Sequence, residues 1–137
     1  MIDIRPTTEE DFKAAVALAL PIYNQGPLHP QESMVTVFWD EDVLGVFSVG
    51  IMSVGVVLIG AILTTHIHKY PVALTRFIKR ELAAIHVRNN VHRIQIEVRA
   101  DYEAGHAFAE ALGFTKEGVM KMFGPDKQDY SLYARTH

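Results

Sequence analysis

The chain has 137 residues, of which 49% are hydrophobic, a formal net charge of -3 and no cysteine. That length and apolar content suit one domain whose core needs no disulfide or metal. The missing cysteines exclude disulfides, thiolate zinc sites and cysteine nucleophiles, and the acidic balance argues against broad nucleic-acid binding, which needs a basic surface. A cysteine-free composition suits the cytosol, and Met1-Ile2-Asp3-Ile4-Arg5-Pro6 lacks the charged-then-apolar pattern of a signal peptide. A cytoplasmic protein is expected.

Ile2 to Arg5 alternates apolar and polar residues, which predicts a short strand ended by Pro6. Thr7 with Glu10 three residues on has the form of a capping box, and Glu9, Glu10 and Asp11 load a first helical turn with negative charge. Phe12, Val16, Ala19 and Leu20 fall at helical spacing, and Pro21 is expected to kink or end that helix. Asn24 to Ser33 reads as a loop or a broken second helix. Met34 to Trp39 predicts a strand, followed by a polar turn at Asp40-Glu41-Asp42.

From Val43 to Leu63 no residue is charged, a run long enough to span a bilayer. Gly45, Gly50, Gly55 and Gly60 recur every fifth residue, which keeps no single helical face; helix packing in membranes places small residues four apart. Val and Ile dominate the remainder and favour extended chain. Met52-Ser53-Val54-Gly55 can turn that chain, with Gly55 at positive φ. The run therefore predicts two buried strands joined by a turn, the second reaching about Thr65, and no membrane contact.

From Tyr70 to about Asn89 the period changes. Leu74, Phe77, Ile78, Leu82 and Ile85 share one helical face, Arg76, Lys79, Arg80 and Glu81 turn away, and Pro71 sits in the first turn. Arg93 to Val98 alternates as another strand. Asp101 is expected to cap a third helix with Ala104, Ala107, Phe108, Ala111 and Leu112 on its apolar face and Gly113 at its stop. Gly118 to Phe123 and Tyr130 to Ala134 predict a closing strand pair, whose exposed edge suits a homodimer contact. Strand, helix, three strands, helix, strand, helix and two strands make a mixed α/β sheet with one parallel crossover.

Several side chains carry possible chemistry. Glu97 is a general base if buried, and a solvent-facing residue if its parity with Gln95 decides. Tyr102 is a proton donor or a half-buried residue at a helix start. His66 and His68 form a His-x-His pair, but no third ligand is evident and no metal is expected. His86, His92 and His106 read as surface or helix-end residues. Lys69, Arg76, Lys79 and Arg80 either draw a phosphate-bearing ligand or form a solvated helix face.

The stretches "IDIRPTTEEDF", "VLGVFSVG" and, most specifically, "ALGFTKEGVMKMFGPDKQDYSLYAR" (Ala111 to Arg135) resemble the GCN5-related N-acetyltransferase (GNAT) family. The resemblance covers essentially the whole chain, and its texture is also similar to small acetyltransferase-like proteins of tailed phages. It implies a mostly antiparallel mixed sheet whose central parallel strands splay, flanked by helices, and transfer of acetyl from acetyl-CoA to the amine of a small molecule or protein. It places the pantetheine arm along Ile62, Leu63 and Thr64. It places the pyrophosphate on the segment holding Lys69, Tyr70, Val72, Ala73, Leu74 and Thr75. Glu97 and Tyr102 are then the base and acid, and Gly26 to Pro30 lies where the family's substrate-facing loop would be. The chain departs from the family at its loop glycines, which are Val72 and Leu74. Pro71 removes one amide, Tyr102 stands at the family's asparagine, and Ala109 stands at its tyrosine. These departures leave a second expectation: a phage protein of the same fold without catalysis, acting as an internal virion component or by binding a host protein.

Overall fold

A computed structural model describes residues 1–19 and 34–137. Its elements are β1 (Ile2–Pro6), α1 (Glu9–Ala17), β2 (Met34–Trp39), β3 (Asp42–Ser53), β4 (Val56–Leu63), α2 (Pro71–Arg88), β5 (Arg93–Arg99), α3 (Glu103–Ala111), β6 (Thr115–Met120) and β7 (Tyr130–Thr136). Pro21 and the Asn24 to Ser33 stretch lie outside the described residues. The strands form one seven-stranded sheet in the order β1-β2-β3-β4-β5-β7-β6.

The long uncharged run is the β3–β4 hairpin, turned by Gly55 at φ 79°. No helix among the described residues is long and apolar enough to cross a membrane. β4 and β5 run parallel, which requires a long crossover, and α2 supplies it. Their ladder is short: Val56, Val57 and Leu58 face Arg93, Ile94 and Gln95, whereas β4 continues to Leu63 and β5 to Arg99.

The chain divides into two compact units, Met1–Gly50 with Gly60–Leu74 and Ile51–Ile59 with Thr75–His137. In the first, Phe12, Ala15, Met34, Val43, Val46 and Ile62 form a buried apolar cluster. The cap of α1 lies one residue later than the sequence pattern suggested. Thr8 accepts from the Asp11 amide, and the Asp11 carboxylate accepts from the Thr8 amide, both at 3.1 Å. The shift has a cause: that carboxylate also accepts from Arg5, and the Thr36 hydroxyl lies 3.3 Å from it, so a buried network selects Asp11 over Glu10. Val16, expected on the buried face, is exposed, and Ala15 takes its place in the core.

In the second unit, Leu82 of α2, Ile94 and Val98 of β5, and Ala109 and Leu112 are buried. Gly113 ends α3 at φ 91°, as its position predicted. Asp101 does not cap that helix; its carboxylate pairs with Arg99 at 2.8 Å and Tyr102 occupies the cap position without a side-chain bond. Of the expected apolar face Leu112 is buried and Phe108 half-buried, whereas Ala104, Ala107 and Ala111 are exposed and Ala109 turns inward in their place. His86, read as a surface or helix-end residue, lies in the last turn of α2 but is 4% exposed, with Nδ1 2.7 Å from the Val91 carbonyl.

Candidate active site

The first unit carries the segment expected to hold a cofactor. Antiparallel pairing turns the amide and carbonyl of alternate residues toward the same neighbour. The Thr64 amide donates to the Leu44 carbonyl at 3.0 Å, so even-numbered positions of β4 face β3. The amides of Ala61 and Leu63 therefore point to the other edge, beyond the last rung of the β4–β5 ladder; at the end of that edge Thr64 bridges Ala19, and the Thr65 amide donates to the Leu18 carbonyl at 3.0 Å. Thr64 and Ile62, singled out from the sequence, direct their backbone groups to β3. The Thr64 hydroxyl is also committed there, donating to the Val43 carbonyl at 2.6 Å.

Thr64 begins a 3₁₀ turn, Thr65–Lys69, that leads into α2. Asp42, which the sequence marked only as part of a polar turn, gathers this segment. Tyr70 donates its hydroxyl to Asp42 at 3.1 Å, Lys69 Nζ lies 3.7 Å away, and His66 Nδ1 lies 3.8 Å away. Trp39 stacks on the Tyr70 ring. At the start of α2 the first helical bond runs from the Leu74 amide to the Tyr70 carbonyl, and Pro71 has no amide, which leaves those of Val72 and Ala73 available. Leu74 is 2% exposed and packs inward, whereas Val72 is 63% exposed and projects to solvent.

The second unit carries the proton-transfer candidates. Gln95, Glu97 and Arg99 share one face of β5. Arg93 donates to Gln95 at 2.8 Å and also binds Glu117, while Arg99 pairs with Asp101 and Asp126. Glu97 makes no side-chain hydrogen bond or ion pair among the described residues, although its backbone lies in the β5–β7 ladder opposite Leu132. It is half-buried rather than solvent-facing, and that burial holds its carboxyl above the usual range. Burial likewise pushes the Tyr102 phenol up, which keeps its proton in place at neutral pH. The Tyr102 ring lies against Gly105, where an added Cβ would stand 2.6 Å from ring atom Cδ2. Ala109 is 1% exposed and offers no hydroxyl.

Among the described residues no three His, Asp or Glu side chains converge as a metal set. The sequence missed Trp39, Asp42 and Ala61. Only the last was accessible in principle, through strand parity.

No family model matches the sequence, and no curated protein matches it either. Solved structures do. Ard1 from Thermoplasma volcanium superposes with a TM-score of 0.81 at 15% identity, covering 98% of this chain and 97% of that one. The fold is that of the GNAT acetyltransferases. The ribosomal-protein-S18-alanine N-acetyltransferase from Escherichia coli has the same GNAT fold, with a TM-score of 0.71 at 17% identity over 99% of this chain and 94% of its own. The microcin C7 self-immunity acetyltransferase MccE, solved with acetyl-CoA and AMP, matches 76% of this chain and 60% of its own at 20% identity and a TM-score of 0.67.

Proposed function

We propose that this chain is an N-acetyltransferase that moves acetyl from acetyl-CoA to an amine. The observation that carries the reading is the outer edge of β4, where the parallel ladder stops at Leu58 and the amides of Ala61 and Leu63 stand past it, short of the bridge from Thr64 to Ala19. An extended amide-bearing arm can pair with such an edge as an added strand does. The amides of Val72 and Ala73 with the Lys69 ammonium suit a pyrophosphate, since a helix start favours anions. Ile62 and Thr64 shape this edge from behind, and Tyr70, Leu74 and Thr75 set the helix that follows.

Acetyl-CoA supplies an activated thioester carbonyl, so that a C–N bond forms as the C–S bond breaks. Glu97 takes the proton from the attacking nitrogen; its raised affinity for a proton suits a base working near neutral pH. Tyr102 gives its Oη proton to the departing sulfur and regains one from solvent, in the role that Ala109 has no hydroxyl to fill. The acceptor is a small-molecule or protein amine. A homodimer through β6, an edge strand of the sheet, accompanies this reading.

A second reading, a non-catalytic phage virion or host-binding component, draws on Ala109 and on the amide that Pro71 lacks. Thiol release from acetyl-CoA, followed with a chromogenic disulfide across a panel of polyamines, amino acids and peptide N-termini, separates the two. Turnover with any acceptor that Glu97→Gln lowers by about a hundredfold or more supports the enzyme. Absence of turnover and of acetyl-CoA binding favours the second reading.

A further inference from the structure

We propose that His106 is a positioning residue that holds the turn between β5 and α3 and, through it, the phenol of Tyr102. Both ring nitrogens of His106 are engaged: Nε2 lies 2.9 Å from the Ala100 carbonyl and Nδ1 lies 2.8 Å from the Tyr133 hydroxyl. A carbonyl only accepts, so Nε2 carries a proton, and in the neutral ring Nδ1 then accepts from Tyr133. Tyr133 is 2% exposed on β7, opposite Ile96 of β5, and its hydroxyl has no other partner among the described residues. The imidazole thus fastens a loop carbonyl to a buried strand.

Ala100 is held from its other side as well, its amide donating to the Asp129 carbonyl at 2.9 Å. Two residues on, the Tyr102 amide donates to the Arg99 carbonyl at 3.0 Å, and the Tyr102 carbonyl accepts from the amides of Gly105 and His106. His106 therefore brackets the turn, by backbone at Tyr102 and by side chain at Ala100. The Tyr102 side chain makes no cap bond. Its direction is set by the turn and by contact with Gly105, whose added Cβ would also stand 2.8 Å from Val98 Cγ1. Loss of the imidazole frees the Ala100 carbonyl, and the ring of Tyr102 loses its aim.

The catalytic consequence rests on the proton-donor role given to Tyr102 above, so the test reads the phenol directly as well as turnover. In protein labelled with 13Cζ-tyrosine, the Tyr102 resonance is assigned with Tyr102→Phe and titrated in wild type, His106→Leu, His106→Gln and Tyr133→Phe. His106→Leu should move that resonance and bring its titration down toward free tyrosine. It should also lower kcat about tenfold, part of what a well-placed acid contributes, with the acetyl-CoA KM within about twofold. His106→Gln, whose carboxamide can still donate to Ala100, should recover most of both. A moved phenol with unchanged turnover supports the positioning role and removes Tyr102 from the chemistry. A folded His106→Leu with an unmoved Tyr102 resonance overturns the proposal. If His106→Leu does not fold, an unmoved Tyr102 signal in Tyr133→Phe overturns it equally.

Discussion

Trp39 lies face to face on Tyr70, ring centres 4.6 Å apart and planes within 9° of parallel. Trp39 is the single tryptophan of the chain, so its emission reports on the turn that leads into α2. Trp39→Ala removes the stack and buried ring surface and should cost about 2 kcal/mol. Tyr70→Phe keeps the stack and loses the bond to Asp42, which should cost at most about 1 kcal/mol. Urea unfolding of the two variants checks the order. Titration with acetyl-CoA should also quench or shift Trp39 emission saturably.

Acid should loosen the first unit at a definable point. The Arg5 guanidinium, against the cost of burial, and the Thr8 amide and hydroxyl hold the Asp11 carboxyl at about 2, below its ordinary value. A depressed value means that the stabilisation is complete above about pH 4 and is lost as pH falls toward 2. The shift corresponds to about 2 kcal/mol at neutral pH. Asp11→Asn should lose about that much at pH 7 and show a flatter stability profile between pH 4 and 2, read by denaturant midpoints.

These elements show what a sequence can disclose. The hairpin in the uncharged run, the α2 face from Leu74 to Leu82 and the Gly113 stop were legible because strand parity, helical spacing and turn chemistry are local. The cap of α1 was misplaced by one residue because Arg5 and Thr36, which select Asp11, lie on other strands. His106 read as a surface or helix-end residue, with no sign of its tie to Tyr133, for the same reason: that partner is 27 positions away. Asp42 looked like turn polarity until the 3₁₀ turn brought Tyr70, Lys69 and His66 to it.

Gly55 is required by the hairpin on two counts. It sits at φ 79°, and an added Cβ would stand 2.4 Å from His92 Nδ1. Gly55→Ala should destabilise by about 1–2 kcal/mol from backbone strain alone, and more where the histidine cannot move. His92→Ala in the same chain should recover the steric part and leave the backbone part, measured as a double-mutant cycle by thermal unfolding.

Glu97 sets an expectation in pH. Burial raises its carboxyl, so the charged form is the disfavoured one in the fold, and stability should fall as pH rises past the ordinary carboxylate range. Glu97→Gln should therefore be no less stable than wild type at pH 7. In turnover, the acidic limb of the kcat/KM profile should lie above the usual carboxylate range and disappear in Glu97→Gln. An acidic limb retained in that variant assigns the base elsewhere.

Acetyl-CoA should bind along the outer edge of β4 and the start of α2, and thermal shift with that ligand tests this directly. Ligand at about 100 times its dissociation constant should add roughly 2.7 kcal/mol of stability. Lys69→Glu should weaken the shift strongly, whereas Arg80→Glu, whose guanidinium lies over Phe77, should leave it intact. No change in midpoint at millimolar acetyl-CoA, or a shift that Lys69→Glu leaves untouched, would contradict the account.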